Sequence, residues 1–291
     1  MQPILFEIGS LKIYSFGLMM GIAFLVANWL FVREFRRKGL PEEVAAGVTM
    51  IALFAGVAGS KLFSLIENWN RFVADPWGEI FSAAGLTFYG GLILATLLIY
   101  LYSRRRGVRF LGVADAAAPS LMLAYGIGRI GCQLAGDGDY GIPTDLPWAM
   151  GYPNGTVSTL AGKNPELKEK FVELFPGSPA LTDTTDILVH PAPVYETLAA
   201  VAIFAFLWRL GKRSMPTGML FGAYLILAGL ERLLVEMIRL NPLYLGLSQA
   251  QWISVAMIIL GGFLLWRTRN APFEPAPVVQ TPRARGKQNR R

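Results

Sequence analysis

The sequence predicts an all-α, polytopic membrane protein of seven transmembrane helices with an extracytoplasmic (periplasmic) cap. Three observations carry this. Of 291 residues, 53% are hydrophobic and 16% charged, where a soluble domain holds about 25% charged; the mean hydropathy is +0.43. Seven stretches reach the roughly 20 apolar residues that cross a bilayer, and Lys and Arg concentrate in alternate connections between them. With one cysteine, Cys132, and one histidine, His190, an internal disulfide is excluded. So is a His-rich metal site, whose ligands come in groups of three or four. No metal and no cofactor is expected.

The apolar runs span 13–32, 44–66, 85–102, 113–135, 192–210, 217–239 and 250–266. Residues 1–270 form the seven-helix domain. Met1–Leu11 lacks a basic n-region and the first run shows no small-residue cleavage site, so it is expected to stay as a helix rather than leave as a signal peptide. Segment 136–191 is rich in Gly, Pro, Asp and Thr, holds one amphipathic helix over Pro165–Phe175, and reads as the cap. Residues 271–291 alternate Pro with basic residues and read as a disordered cytoplasmic tail. Of 27 lysines and arginines, 18 lie at Arg33–Lys38, Arg104–Arg109, Arg209–Arg213 and from Arg267 onward, against 6 on the opposite side. The N-terminus is therefore expected outside and the C-terminus in the cytoplasm. The net charge of +7 reads as topology and attraction to anionic lipid, not as nucleic-acid binding.

Ionisable side chains within lipid cost about 2.5 to 3.5 kcal/mol each, face the bundle interior and mark function. Three blocks stand out. GIGRIGCQLAGDGDYG, Gly126–Gly141, sets Arg129 deep in the fourth run, and its glycines, Gly136 among them, allow close backbone approach to an anionic group. In LERLLVEMIRLNP, Leu230–Pro242, Arg232, Glu236 and Arg239 fall at i, i+4 and i+7 on one helix face, so that Glu236 can bridge both arginines. GLTFYGGL, Gly85–Leu92, places Tyr89 before a Gly pair that admits another helix or a ligand. Plainer readings stand beside these: a structural ion-pair ladder on the sixth helix, an interfacial belt for Tyr89 and Trp77, and a small buried hydrophobe for Cys132. His190 reads as a loop or capping residue, and Lys61 as a packing residue or an ion pair with Asp115 or Glu67.

Five ordered blocks together resemble the prolipoprotein diacylglyceryl transferases of bacteria: YSFGLMMG at Tyr14–Gly21, GLTFYGGLI at Gly85–Ile93, GRIG at Gly128–Gly131, HPAPVYE at His190–Glu196 and GLERLLVEMIR at Gly229–Arg239. The resemblance implies a bacterial inner-membrane enzyme. Its partners are phosphatidylglycerol and the signal peptides of prolipoproteins, whose lipobox cysteine receives the diacylglyceryl group. It implies Arg129, Arg232 and Tyr89 as catalytic residues, and Arg129, Gly136, Glu236 and Arg239 as lipid-binding residues. The chain departs from the family pattern at Tyr89, where histidine stands before the Gly pair, at Cys132, where asparagine follows G-R-x-G, and at Phe16, where tyrosine stands. The acidic residue of the signature is matched by Asp137 or Asp139.

The implied reaction is displacement by a thiol at the glycerol carbon bonded to phosphate. It needs guanidinium groups on the leaving phosphate and a thiolate, whose formation at pH 7 costs only about 2 kcal/mol. An unperturbed tyrosine anion would cost about 4 kcal/mol, so a neutral Tyr89 is expected to hydrogen-bond the phosphate or orient the thiol. A function of another class also fits: a non-catalytic lipid-binding or transporter-like paralogue that keeps the arginines. An intramembrane protease does not, because neither a GxSxG elbow nor paired membrane aspartates are present.

Overall fold

A computed structural model describes residues 1–9, 11–82 and 87–271. The expected tail lies outside the described residues from 272 onward, as do Gly85 and Leu86 of the GLTFYGGL block. Along the chain run β1 (Ile4–Ile8), β2 (Leu11–Tyr14), α1 (Ser15–Arg37), α2 (Glu42–Glu67), α3 (Trp69–Ala74), α4 (Pro76–Phe81), α5 (Phe88–Arg105), α6 (Phe110–Ala135) and α7 (Pro165–Leu174). They are followed by α8 (Ala192–Leu210), α9 (Met219–Glu236), β3 (Leu243–Tyr244), β4 (Leu247–Ser248) and α10 (Gln249–Thr268). The chain is thus mostly helical, and a long helix covers each predicted run. Five of them, α1, α2, α6, α8 and α10, are long and apolar enough to cross a membrane. The other two differ for a chemical reason: α5 holds Arg104 and Arg105 within its 18 residues, and α9 holds Glu231, Arg232 and Glu236 within its own.

The strands are a departure from the all-helical expectation. β1 and β2 pair antiparallel around Gly9 at φ 62°, and β3 and β4 pair around Leu245 at φ 53° and Gly246 at φ 85°. Two successive positive φ values make the tight reversal that strand twist favours. Strands of two to five residues are too short for alternation to show in the sequence.

Two compact units divide the described residues, one of Phe31–Ala116 and one of Met1–Leu30 with the chain from Ala117 on. Within the first, α2 packs on α5 through glycine. A Cβ on Gly59 would stand 2.5 Å from the Gly90 carbonyl oxygen, and one on Gly91 2.6 Å from that of Gly56. Small residues let backbones meet where lipid supplies no hydrophobic drive. Lys61 donates from Nζ to the Ser82 carbonyl at 2.9 Å, and Glu67 accepts from the Thr87 hydroxyl at 2.7 Å.

The second unit packs α6, α8 and α9 around Ala118, Met122, Ala200, Leu207 and Leu220, with α10 closed on α9 where Gly222 meets Gly261. Segment 136–191 holds its own small core of Tyr140, Tyr152, Ala161, Leu167, Ile187 and Val189. Its amphipathic helix, α7, starts where Asn164 Oδ1 accepts from the Leu167 N–H at 3.0 Å and buries Leu167 completely.

Candidate functional site: a closed ring of arginines and carboxylates

The end of α6 sets Tyr125, Arg129 and Cys132 at i, i+4 and i+7, one helical face. Beyond it, Gly136 at φ 57° and Gly138 at φ 93° reverse the chain and bring Asp139 back over that face. A non-glycine residue would be strained in either place. The following segment is stitched to the stretch before α8 and to the turn after α9: the Gly141 N–H donates to the His190 carbonyl at 2.8 Å and the Ile142 N–H to the Ile238 carbonyl at 2.7 Å. These bonds hold Asp139 beside Arg239. The second turn of α8 contributes Glu196, fully buried, and the last turn of α9 contributes Arg232 and Glu236.

Their side chains close a ring in which charge alternates. Arg129 pairs with Asp139 through Nη1, and Asp139 pairs through its other oxygen with Arg239. Arg239 Nε lies 3.7 Å from Glu236 Oε2, and the same oxygen is 3.1 Å from Arg232 Nη2. Arg232 Nη1 donates to Glu196 Oε1 at 2.8 Å, and Glu196 Oε2 returns to Arg129 Nε at 3.3 Å. Glu236 thus bridges both arginines of its helix. The expected ladder exists, closed by two carboxylates from elsewhere in the chain.

Three guanidiniums face three carboxylates, so the ring is neutral. A buried ion-pair network of this kind contributes little net stability once desolvation is counted; its value lies in positioning charge. Burial alone would raise the Asp139 pKa, but Arg239 and then Arg129 more than offset it, moving the carboxyl from 3.8 down to about 2. Two ring oxygens, Glu196 Oε2 and Glu236 Oε2, sit within ion-pair range without the alignment of a hydrogen bond. Arg239 Nη1, on a side chain 9% exposed, has no hydrogen-bond partner among the described residues. A buried N–H left unpaired costs about 1 to 3 kcal/mol, and a phosphate oxygen is the acceptor that suits it.

Around the ring, the Tyr125 hydroxyl donates to Glu196 Oε1 at 2.8 Å and lies 3.5 Å from Glu231 Oε1, while the Arg129 guanidinium stacks 5.0 Å over the Tyr125 ring. Glu236 Oε1 accepts from Asn241 Nδ2 at 2.5 Å and from the Ser248 hydroxyl at 2.8 Å. Ser248 also caps α10, reciprocally with Gln251.

Of the residues expected from the sequence, Arg129, Arg232, Glu236 and Arg239 come together here. Of the two aspartates left open, Asp139 is the ring member; Asp137 Oδ1 accepts from the Asp139 N–H at 3.3 Å. The close approach that Gly136 permits is to Gly155, whose Cα a Cβ on Gly136 would meet at 2.8 Å. Tyr89 lies in the other unit, half-buried, as the second residue of α5. Cys132 is buried with Arg129 Nη1 3.7 Å from its sulfur. Ligand atoms of Cys132, Asp137 and Asp139 lie within 4.8 Å of one another, but both Asp139 oxygens are engaged by arginines, which a cation would have to displace. His190 stands before the Pro191 cap of α8 with Nδ1 3.3 Å from the Tyr195 hydroxyl, and burial lowers its pKa.

Sequence reasoning missed Glu196, Tyr125, Glu231, Asn241 and Ser248. For Glu196 and Glu231 a signal was present, since each is an acidic residue inside a predicted span. Tyr125, Asn241 and Ser248 carry no such mark.

A family model described as prolipoprotein diacylglyceryl transferase matches residues 3–267. A phosphatidylglycerol–prolipoprotein diacylglyceryl transferase of Clostridium tetani is 31% identical over 268 residues, covering 91% of this chain and 96% of its own. Proteins of the same name from Dehalococcoides mccartyi and Chromohalobacter salexigens are each 29% identical. The first covers 92% of this chain and 94% of its own, the second 94% and 95%.

Proposed function

Because the chain belongs to the prolipoprotein diacylglyceryl transferase family, we propose that it moves the diacylglyceryl group of phosphatidylglycerol onto the lipobox cysteine of prolipoproteins, the first step of lipoprotein maturation. The relatives' name states that transfer. The observation that carries it to this chain is the ring, with three arginines held in place and Arg239 Nη1 without an acceptor among the described residues. In the reaction the thiol sulfur bonds to the glycerol carbon and the carbon–oxygen bond to phosphate breaks. Its electron pair leaves with glycerol phosphate, and the thiol proton is released. Arg129, Arg232 and Arg239 stabilise the charge that grows on the leaving phosphate, and guanidinium donors already fixed in a site of low dielectric do this without reorganising. In this reading Tyr89 acts as a neutral hydroxyl and not as a base.

In this reading all seven long helices cross the bacterial inner membrane, α5 and α9 included. The Arg-rich ends of α1, α5 and α8 face the cytoplasm with the tail from 271, while the N-terminus and the cap, 136–191, face outward. Both substrates then reach the ring laterally through the bilayer.

The test is a purified-protein assay in phosphatidylglycerol vesicles with a lipobox peptide, paired with complementation of a transferase-depleted bacterium. Peptide-dependent release of glycerol phosphate by the wild type and its loss in Arg129→Ala are expected. Lipid binding without peptide-dependent release would overturn the transferase in favour of a non-catalytic paralogue.

A further inference from the structure

Glu231 is the acidic side chain that the ring leaves over. It is 7% exposed, precedes Arg232 in α9, and lies 3.5 Å from a Tyr125 hydroxyl whose proton is committed to Glu196 at 2.8 Å. Among the described residues no arginine or lysine forms an ion pair with it: Arg232 is taken by Glu196 and Glu236, and Arg129 by Asp139 and Glu196. The groups that face it are Tyr125 and Arg129 from α6, Glu196 from α8, and Tyr224 and Arg232 from its own helix. Where α10 packs on α9 it presents Gly261 and Ser254, which are uncharged.

The ring is already balanced, three charges against three. An ionised Glu231 makes the cluster net negative, and an anionic headgroup then adds a second uncompensated negative charge. Like charges in a buried site of low dielectric do not both persist, and the one that can take up a proton does so. We infer that Glu231 is the proton-coupled charge balancer of this site: the phosphodiester headgroup of the lipid enters the arginine ring together with one proton, which Glu231 accepts. The inference rests on the lipid reading above and adds to it a specific residue and a counted proton. Tyr125 positions it, its single hydroxyl proton fixing Glu196 as the permanent carboxylate and leaving Glu231 as the one that changes.

Binding of short-chain dihexanoyl phosphatidylglycerol to the full chain in a neutral detergent tests this, by calorimetry in buffers of different ionisation heat across roughly pH 6 to 9. The lipid phosphodiester keeps its single charge throughout. Wild type is expected to take up one proton per lipid and to lose affinity about tenfold per pH unit once the empty site is deprotonated. Glu231→Gln, which mimics the protonated form, is expected to keep the low-pH affinity with no uptake and no pH slope. Wild-type binding without proton uptake overturns the inference while leaving the lipid reading intact, and needs no variant to fold. Equal uptake by Glu231→Gln overturns the assignment to Glu231. An absence of wild-type binding at every pH removes the lipid reading and the inference with it.

Discussion

Arg232 Nη1 and Glu196 Oε1 meet at 2.8 Å although 36 residues separate them. Glu196 also faces Arg129, so one fully buried carboxylate keeps two guanidiniums together. Glu196→Ala leaves both cations without it, and removing one partner of a buried pair costs about 3 to 5 kcal/mol. Thermal unfolding in detergent is expected to show that loss, with transfer activity abolished. An unchanged midpoint would mean the ring re-forms without Glu196.

Asp139 gives the acid side of the stability curve a signature. Its folded pKa of about 2 lies below the ordinary 3.8, so its contribution is full above the unfolded value and fades as pH falls toward 2. Asp139→Asn is expected to be less stable than wild type at neutral pH and to converge on it in acid. A stability difference that stays constant with pH would show that the pairing with Arg129 and Arg239 is not what the carboxylate contributes.

How much of this was legible in the sequence follows from what each feature requires. A bilayer demands long apolar runs, so each long helix showed itself. A 3.6-residue period put Arg232, Glu236 and Arg239 on one face, and the structure joins all three. Glu196 and Asp139 could not be placed because their partners come from other elements, and sequence spacing carries no distance across a bundle. The choice between Asp137 and Asp139 depended on a reversal through two left-handed glycines. Tyr125 looked like any apolar-run aromatic until its hydroxyl was seen between two carboxylates.

Gly141 is a place where the backbone leaves no room. A Cβ there would stand 2.6 Å from the Ile238 carbonyl oxygen and 2.9 Å from the His190 Cβ. Gly141→Ala must push apart the segments that carry Asp139 and Arg239, at an expected cost of about 1 to 3 kcal/mol. The denaturation midpoint checks this, and turnover should fall with it. Wild-type values for both would show that the segment yields easily.

Tyr89→Phe removes one hydroxyl and nothing else. Loss of a hydrogen bond to a charged group is worth about 1.5 to 3 kcal/mol, so turnover is expected to drop at least tenfold with membrane insertion intact. Near-normal turnover would make the hydroxyl dispensable.

Cys132→Ser separates the chain's own thiol from that of the acceptor protein. Cys132 is buried beside Arg129; with the acceptor thiol supplied by the substrate protein, lipidation of a lipobox peptide is expected to continue at a rate close to that of wild type. Complete loss would demand a covalent intermediate on Cys132.

Glu236 divides its work between two oxygens: Oε2 faces Arg232 and Arg239, while Oε1 holds Asn241 and the residue that caps α10. Connections between helices are ordinarily where a family drifts freely, gaining and losing residues at little cost. Here the stretch from 237 to 248 is moored at its far end to the same carboxylate that steadies the arginines. An insertion between 242 and 247 would slacken the mooring and be felt as lost catalysis, although none of those residues belongs to the ring. This turn is therefore as little open to grafting or trimming as the arginines themselves.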